Sequence, residues 1–374
     1  MAGLYLHIPF CRKACSYCNF HFSTARQGHQ EMVDAIAEEI SLRNDEMPTG
    51  DWQTVYFGGG TPSLLSPKQV EQLIAAARLA RPIAPRAEIT LEANPDDLSE
   101  EVLKAFAKTE VNRLSIGVQS FRDSDLAYMN RAHNSKQAIA CIARAQAAGF
   151  SNLTIDLIYG TPGLSDQDWR DNLQRAVDFG VQHISAYALT VEPKTALAHQ
   201  IQAGKSLPVN ENQAARQMEI LVDVLEAAGY EQYEVSNFAL PNYRARHNSK
   251  YWLGAPYLGV GPSAHSYDGG SVRSWNVANN ARYVKAIEQG ELPLERETLD
   301  ARERYHELIL TRLRTVWGVN RSEVAGLGFE DHFLRELAPF IQRGLVVEEK
   351  QVYRLSKAGK LLADGVSAAL FVDS

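Results

Sequence analysis

Three of the four cysteines in this 374-residue chain lie within one short segment, at Cys11, Cys15 and Cys18. The spacing is C-x3-C-x2-C, and no other cysteine is near enough to complete a set of four. Closed [4Fe–4S] sites use four cysteine thiolates, so three predict a cluster with one iron left for an outside ligand. Each thiol must lose its proton before it can bind iron.

A disulfide, a zinc site and chance clustering are the alternatives to an iron–sulfur cluster at this loop. A disulfide is disfavoured, because no signal peptide is evident and a trio leaves one thiol unpaired. A Cys3His zinc site, with His7 or His21 as fourth ligand, is the main rival. Spacing alone leaves iron–sulfur and zinc open, so residues beyond the loop must decide.

The whole-chain composition restricts the class of protein. The chain is 45% hydrophobic and 22% charged, with a net charge of −7, which is ordinary for a globular protein. This negative net charge argues against non-specific binding of nucleic acids. No apolar run approaches the length of a membrane span. We therefore expect a cytoplasmic, reducing location, with peripheral association at a membrane left open.

Six strand–helix alternations are predicted in the first half of the chain. Strands are expected at residues 4–8, 54–57, 88–92, 113–117, 152–156 and 183–187, and Ser66 and Ser99 are expected to cap helices. This alternation predicts a parallel sheet with right-handed crossovers. Because six units are fewer than the eight of a complete barrel, an open partial barrel and a doubly wound α/β sheet both remain.

Residues able to bind a ligand follow five successive predicted strands. Parallel strands bring their carboxyl ends to one rim, where ligands gather. After the cysteine loop these residues are Gly58–Gly60 with Thr61, then Glu92, Gln119 and Asp156. Strand ends are often polar, but five around a three-cysteine loop predict a site. The glycines permit close backbone approach to a ligand, and the P-loop lysine is missing.

The pattern changes after about residue 193. A helix is predicted at 212–228, then an irregular stretch containing His247–Trp252, then a helix-rich tail with a winged-helix outline. Because the charge of this tail is mixed, we expect it to form a partner-binding or capping surface rather than to bind DNA. We predict three domains, at 1–210, 211–295 and 296–374. Cys141 lies in a predicted helix and is expected to be a buried apolar residue.

The chain resembles the radical S-adenosylmethionine (SAM) superfamily, and within it the HemN/HemW group. The matching pieces keep the family order: the segment 5–11, the three-cysteine loop, GGGTP at 58–62, EANP at 92–95, SIGVQSF at 115–121, Arg131, IDLIYG at 155–160 and the winged-helix-like tail. The resemblance implies a partial (β/α)6 barrel with a [4Fe–4S] cluster on Cys11, Cys15 and Cys18. It makes the zinc interpretation a minor one.

The resemblance also implies positions for SAM. SAM would bind the unique iron through its amino and carboxylate groups, and an electron from a donor such as a flavodoxin or ferredoxin would yield a 5′-deoxyadenosyl radical. Gly59, Gly60 and Thr61 would meet the amino-acid end. Tyr5 and Tyr17 would pack near cluster and adenine. The carboxylate, ribose or adjoining polar groups would meet Glu92, Gln119, Arg131 and Asp156.

Three features distinguish the subgroups. HemN enzymes, oxygen-independent coproporphyrinogen III dehydrogenases, have a further cysteine where this chain has Phe20, and a longer N-terminal arm. HemW proteins have an H-N-x-x-Y-W element, matched by HNSKYW at 247–252. The HemW likeness implies a haem chaperone that binds haem and delivers it to recipient haem proteins, for example of respiratory chains, without dehydrogenase activity.

Within this element, His247 is the candidate haem ligand, because imidazole commonly binds haem iron. A hydrogen-bonded structural histidine is the alternative, and His265 or the cysteines are further candidate ligands. The rival functions are a coproporphyrinogen III dehydrogenase and a radical SAM enzyme with another substrate. A redox-sensing transcription factor is disfavoured by the acidic charge, and no nucleic-acid partner is expected.

Overall fold

The main feature of the computed structural model, which describes residues 2–48 and 50–372, is one large sheet. Its first six strands lie side by side in chain order and run parallel. They are β1 (Gly3–Ile8), β2 (Trp52–Gly59), β3 (Ile83–Ala93), β4 (Arg113–Gln119), β5 (Leu153–Tyr159) and β6 (His183–Ala188). In a barrel wall each strand lies next to the one that follows it in the chain, whereas a doubly wound sheet reverses its strand order at one point. The observed order therefore confirms the partial barrel, and the doubly wound alternative is wrong.

Helices follow each of these strands along the chain. They are α1 (His29–Leu42), α2 (Pro67–Ala80), α3 (Glu100–Phe106), α4 (Asp123–Tyr128), α5 (Ser135–Ala147), α6 (Asp166–Asp178), α7 (Ala196–Gln202) and α8 (Glu211–Ala227), with 3₁₀ turns at Asn44–Glu46 and Pro62–Leu64. The predicted caps are confirmed: Ser66 accepts from the N–H of Gln69, and Ser99 from that of Val102. Cys141 is fully buried in α5, as expected.

Residues after α8 extend both edges of the sheet. Next to β6 lie β8 (Asn237–Ala239) and then β7 (Glu231–Glu234); next to β1 lie β9 (Tyr257–Val260), β10 (His265–Tyr267), β11 (Val272–Asn276) and β12 (Leu294–Thr298). Two helices belong to the same stretch, α9 (Arg246–Trp252) and α10 (Asn280–Glu288). The sequence pattern did not resolve these strands, because three to five residues are too few to show alternation.

The C-terminal residues pack around a second hydrophobic core, which includes Tyr305, Phe333 and Leu337. Its helices are α11 (Ala301–Arg312), α12 (Arg321–Gly326), α13 (Glu330–Gln342), α14 (Lys357–Lys360) and α15 (Ala363–Ala369); its strands are β13 (Val319–Asn320), β14 (Val346–Glu349) and β15 (Val352–Leu355). The three strands form one antiparallel sheet, which is the predicted winged-helix outline. The domain boundaries at 210 and 295 stay predictions. Across the described residues, no helix is both long and apolar enough to cross a membrane.

Candidate functional site

The cysteine loop lies at the carboxyl end of β1. Cys11, Cys15 and Cys18 are free thiols, each half-buried. Two neighbours reach them: Thr61, just after β2, places its hydroxyl 3.5 Å from the Cys11 sulfur, and Arg131, just after α4, places Nη1 3.2 Å from the Cys15 sulfur. The tertiary structure thus surrounds the loop with donors that would stabilise thiolates.

Burial favours the protonated form of the Cys11 and Cys18 thiols in the absence of iron. It raises the pKa of Cys11 to about 11 and also raises the pKa of Cys18. Cluster assembly therefore has to release protons. In the described part of the chain, no three His, Cys, Asp or Glu side chains converge as ligands of a metal ion. A [4Fe–4S] cube binds each cysteine through a different iron and does not require such convergence.

The histidines proposed for a zinc site are engaged elsewhere. Nδ1 of His7 lies 3.2 Å from the Tyr5 hydroxyl, and Nε2 lies 2.9 Å from the carbonyl oxygen of His21. Nε2 of His21 lies 2.7 Å from Oδ1 of Asn280. Both nitrogens of His7 therefore already have hydrogen-bond partners in this conformation.

The glycines that end β2 are required by close packing inside the chain. A Cβ on Gly60 would lie 2.6 Å from the carbonyl oxygen of Phe10, and Gly59 has a φ of 107°. The N–H groups of Gly60 and Thr61 donate to Ile8 and Phe10. The glycines thus allow the cysteine loop to lie directly against the end of β2, and these two N–H groups are already used within the chain.

Glu92 and Asp156 are partly buried carboxyl groups that line the cavity inside the barrel wall. Burial raises the pKa of Glu92 to about 7, and that of Asp156 to about 6. Oε1 of Glu92 accepts a 2.6 Å hydrogen bond from the Tyr56 hydroxyl. Near neutral pH these groups can therefore accept hydrogen bonds from a ligand or hold a proton.

Arg131 joins the cysteine loop to the end of β4. Besides Cys15, its guanidinium contacts Oδ1 of Asn94 at 2.5 Å and the carbonyl oxygen of Gly117 at 2.7 Å. Its Nε is buried and has no hydrogen-bond partner among the described residues. Gln119 is held nearby at a φ of 63°, where the register between β4 and β5 shifts. An unpaired buried donor next to the thiols is a place for an anionic ligand group.

The two aromatic candidates lie on different sides of the site. Tyr5 of β1 stacks on Tyr56, with ring centroids 6.1 Å apart. Tyr17 is in the loop between the cysteines and packs against a small apolar cluster that includes Leu126 and Met129. Burial raises the pKa of both phenols, so they act as neutral donors at physiological pH.

His247 is buried behind this site. Its Nδ1 lies 2.8 Å from the Thr54 hydroxyl on β2, and its Nε2 lies 2.7 Å from the Tyr251 hydroxyl. The ring stacks on Tyr56, with centroids 4.9 Å apart. Burial lowers the pKa of His247 to about 3, so the imidazole is neutral. Both ring nitrogens are engaged in this conformation. The other suggested ligand, His265, is exposed on β10.

A cavity of about 1000 Å³ connects these side chains. It is bordered by all three cysteines, by Tyr5, Tyr17, Gly59, Gly60, Thr61, Glu92, Gln119, Arg131 and Asp156, and not by His247. It also borders Tyr251 and Trp252 of the HNSKYW element, and four residues that sequence reasoning did not select: Tyr56, Arg113, Arg314 and Lys360. Inward alternation along β2 could have indicated Tyr56, but no sequence signal places the C-terminal Arg314 and Lys360 at the barrel mouth.

These residues fit a [4Fe–4S] cluster with SAM beside it. The three thiols border the cavity, and the unpaired Nε of Arg131 supplies a donor for a carboxylate. Glu92 and Asp156 supply acceptors for amino or hydroxyl groups. The volume is at the upper end for a small-molecule site, which leaves room for a second ligand.

Comparisons with known proteins agree with this geometry. Residues 5–176 match the Radical SAM superfamily, and residues 299–362 match the HemN C-terminal domain. The chain is 34% identical to the "Heme chaperone HemW" of Bacillus subtilis (strain 168), over 99% of both chains. It is 36% identical to the protein of the same name from Mycobacterium tuberculosis (strain H37Rv), over 98% of this chain and 94% of the relative.

A solved structure is similar over the whole length. It is described as "Coproporphyrinogen III oxidase (HemN) from Escherichia coli is a Radical SAM enzyme", and the match has a TM-score of 0.84 and 25% identity. It covers 99% of this chain and 89% of that chain. The similarity therefore includes the C-terminal winged-helix region as well as the barrel. The chain belongs to the radical SAM superfamily and, within it, to the HemW family.

Proposed function

We propose that this protein is a haem chaperone, which binds haem and delivers it to recipient haem proteins such as those of respiratory chains. The observation that carries the proposal is the placement of the HNSKYW helix, α9. Asn248, Tyr251 and Trp252 of this helix border the same cavity as the cluster cysteines. Near full-length similarity to proteins named heme chaperone HemW supports it.

The proposed cofactors are a [4Fe–4S] cluster on Cys11, Cys15 and Cys18, and SAM. When bound, this pair supplies one-electron chemistry. Arg131 would hold the SAM carboxylate through its unpaired Nε, and Glu92 and Asp156 would accept from the amino group or ribose. The protein's part is to position these groups and to limit water access.

Phe20 supports the chaperone over the dehydrogenase. It borders the cavity and its side chain is 69% exposed, at the position where HemN enzymes have their additional cysteine. A phenyl ring can neither bind iron nor transfer a proton or hydrogen atom as a thiol can. The full-length match to the HemN structure nevertheless keeps coproporphyrinogen III oxidation as a second candidate.

Haem binding and transfer test the proposal directly. The protein is purified anaerobically and titrated with haem, with and without SAM and reconstituted cluster, and the Soret band is followed. The haem-loaded protein is then mixed with an apo haem protein. A chaperone transfers haem at a rate that rises with acceptor concentration, because transfer occurs in a complex. A rate limited by haem dissociation, or no stoichiometric binding, would contradict the proposal.

The second candidate requires a separate assay. Cluster-loaded protein is incubated anaerobically with SAM, a reductant and coproporphyrinogen III. We expect no protoporphyrinogen IX above the rate of a Cys11→Ser, Cys15→Ser, Cys18→Ser triple variant. Formation at an enzymatic rate would establish the dehydrogenase instead.

The cluster assignment has its own control. The triple cysteine variant should lose iron, sulfide and the cluster absorbance, whereas Cys141→Ala should keep them. Cys141 is fully buried in α5 and borders no part of the cavity, so its removal tests whether the loss is specific. Retention of the cluster by the triple variant would move the ligands elsewhere.

The cellular setting follows from the proposed role. We expect a cytoplasmic protein that meets membrane-bound recipients peripherally and accepts electrons from a flavodoxin or ferredoxin. Fractionation with and without the recipient's membrane would test the first expectation. Cluster reduction by each purified donor would test the second.

A further inference from the structure

The HNSKYW helix divides its residues between two environments. Asn248, Tyr251 and Trp252 border the cavity, whereas His247 does not and is 1% exposed. In this arrangement the aromatic residues of the helix, rather than its histidine, are the ones a ligand in the cavity can reach.

His247 is held on both sides by hydrogen bonds. Thr54 of β2 fixes Nδ1 at 2.8 Å, and the Tyr251 hydroxyl lies 2.7 Å from Nε2. The ring also stacks against Tyr56 and Tyr5, whose ring centroids lie 4.9 Å and 6.3 Å from that of His247. The imidazole thus anchors the Tyr251 phenol to the barrel wall. A neutral imidazole with two fixed partners is suited to orienting a neighbour.

Trp252 presents an incomplete set of contacts at the other end of the helix. Its indole Nε1–H is buried and has no hydrogen-bond partner within the described ranges. The guanidinium of Arg314 lies 5.1 Å from its ring centroid, and Nε of Arg314 donates to Glu234 at 2.6 Å. Arg314 also borders the cavity. A flat aromatic surface beside a guanidinium suits a planar ligand that carries carboxylates.

We propose that Tyr251 and Trp252 form the surface on which the haem plane docks, that Arg314 meets a haem propionate, and that His247 is a positioning residue for Tyr251. The inference rests on the proposed haem-binding function and specifies its site. It differs from direct iron ligation by His247, in which the imidazole would have to exchange one of its two partners for iron.

The first test compares haem dissociation constants of full-length variants. Trp252→Leu keeps apolar volume but removes the aromatic face, and haem affinity should fall about ten-fold. Trp275→Leu is the matched control, because Trp275 stacks on His265 outside the cavity. Arg314→Met should weaken haem and leave the binding of haem dimethyl ester, which lacks free carboxylates, unchanged.

A double-mutant cycle tests the role of His247. Tyr251→Phe and His247→Gln should each weaken haem about five-fold, and the double variant should be no weaker than the worse single variant. Thr54→Val, which removes the other support of the ring, should also show no further loss in the Tyr251→Phe background. The cluster absorbance must be unchanged in every variant, which shows that the fold persists.

The outcomes separate this inference from the proposed function. If wild-type protein binds haem but Trp252→Leu and Tyr251→Phe bind it equally well, the docking surface is wrong and the haem-binding function stands. Additive losses for His247→Gln and Tyr251→Phe would show that His247 acts on haem independently. Absence of haem binding by the wild-type protein would overturn both.

Discussion

The Tyr56 hydroxyl donates a 2.6 Å hydrogen bond to Glu92, and both side chains border the cavity inside the barrel wall. The pair places a carboxyl with a pKa of about 7 beside the proposed cofactor site. Its protonation thus changes in the physiological range, although the sequence shows only two residues on neighbouring strands.

The raised pKa of Glu92 makes the stability of the cofactor-free protein depend on pH. The folded protein holds a proton that the unfolded chain releases near pH 4.5, so stability falls as pH rises from about 4.5 to 7. Glu92→Gln removes this loss of stability at higher pH, because the glutamine side chain does not ionise. We expect the variant to be more stable than wild type at pH 8, by at most roughly 3 kcal/mol, and similar at pH 4.5.

Denaturant unfolding at the two pH values measures this difference. Glu71→Gln is the control, since Glu71 is exposed on α2 and should show no such pH-dependent gain. If the gain of Glu92→Gln is the same at both pH values, proton binding by Glu92 is not its cause.

Gly60→Ala should prevent the cysteine loop from packing against β2. The added methyl would lie 2.6 Å from the Phe10 carbonyl oxygen, a backbone atom that cannot move without the loop. We expect a loss of about 1–3 kcal/mol in unfolding free energy and a fall in iron content after reconstitution. Gly326→Ala, on a helix with nothing within 4 Å, should change neither quantity appreciably.

Arg131→Lys should weaken SAM binding to the cluster-loaded protein. A lysine cannot contact Cys15, Asn94 and the Gly117 carbonyl together, because its ammonium lacks the planar fork of a guanidinium. We expect a roughly ten-fold higher dissociation constant by equilibrium dialysis. Arg170→Lys on the exposed side of α6 is the control, and equal SAM affinity in the two variants would remove Arg131 from the site.

Arg43→Met should destabilise the junction between α1 and the β9–β11 edge. Arg43 is 1% exposed and contacts Glu39, Glu46 and the Gly259 carbonyl oxygen, so its loss leaves the fully buried Glu39 without its cation. We expect unfolding free energy to fall by about 3–5 kcal/mol. Lys104→Met, which breaks an exposed pair with Glu100, is the control and should change the unfolding free energy little.

If most of this Arg43 loss is the cost of an unpaired buried charge, the double variant Glu39→Gln, Arg43→Met should recover part of it. A double variant as unstable as the sum of the two single variants would show that the two side chains act independently.

The sequence by itself determined the alternation of the barrel, the helix caps at Ser66 and Ser99, and the residues at the strand ends. These follow from local physics: hydrophobic periodicity, capping hydrogen bonds and the freedom of glycine are set by neighbours within a few residues. The family resemblance could be recognised from the sequence for the same reason, because it depends on short motifs of neighbouring residues.

Only the tertiary structure decided which side chains share the cavity. It excludes His247 and admits Tyr251 and Trp252 of the same helix, and it brings Arg314 from the C-terminal region to the barrel mouth. It also gives Glu92 a raised pKa, because its burial depends on strands that are far apart in sequence. Such contacts depend on packing across the sheet, and no local pattern of residue types encodes them.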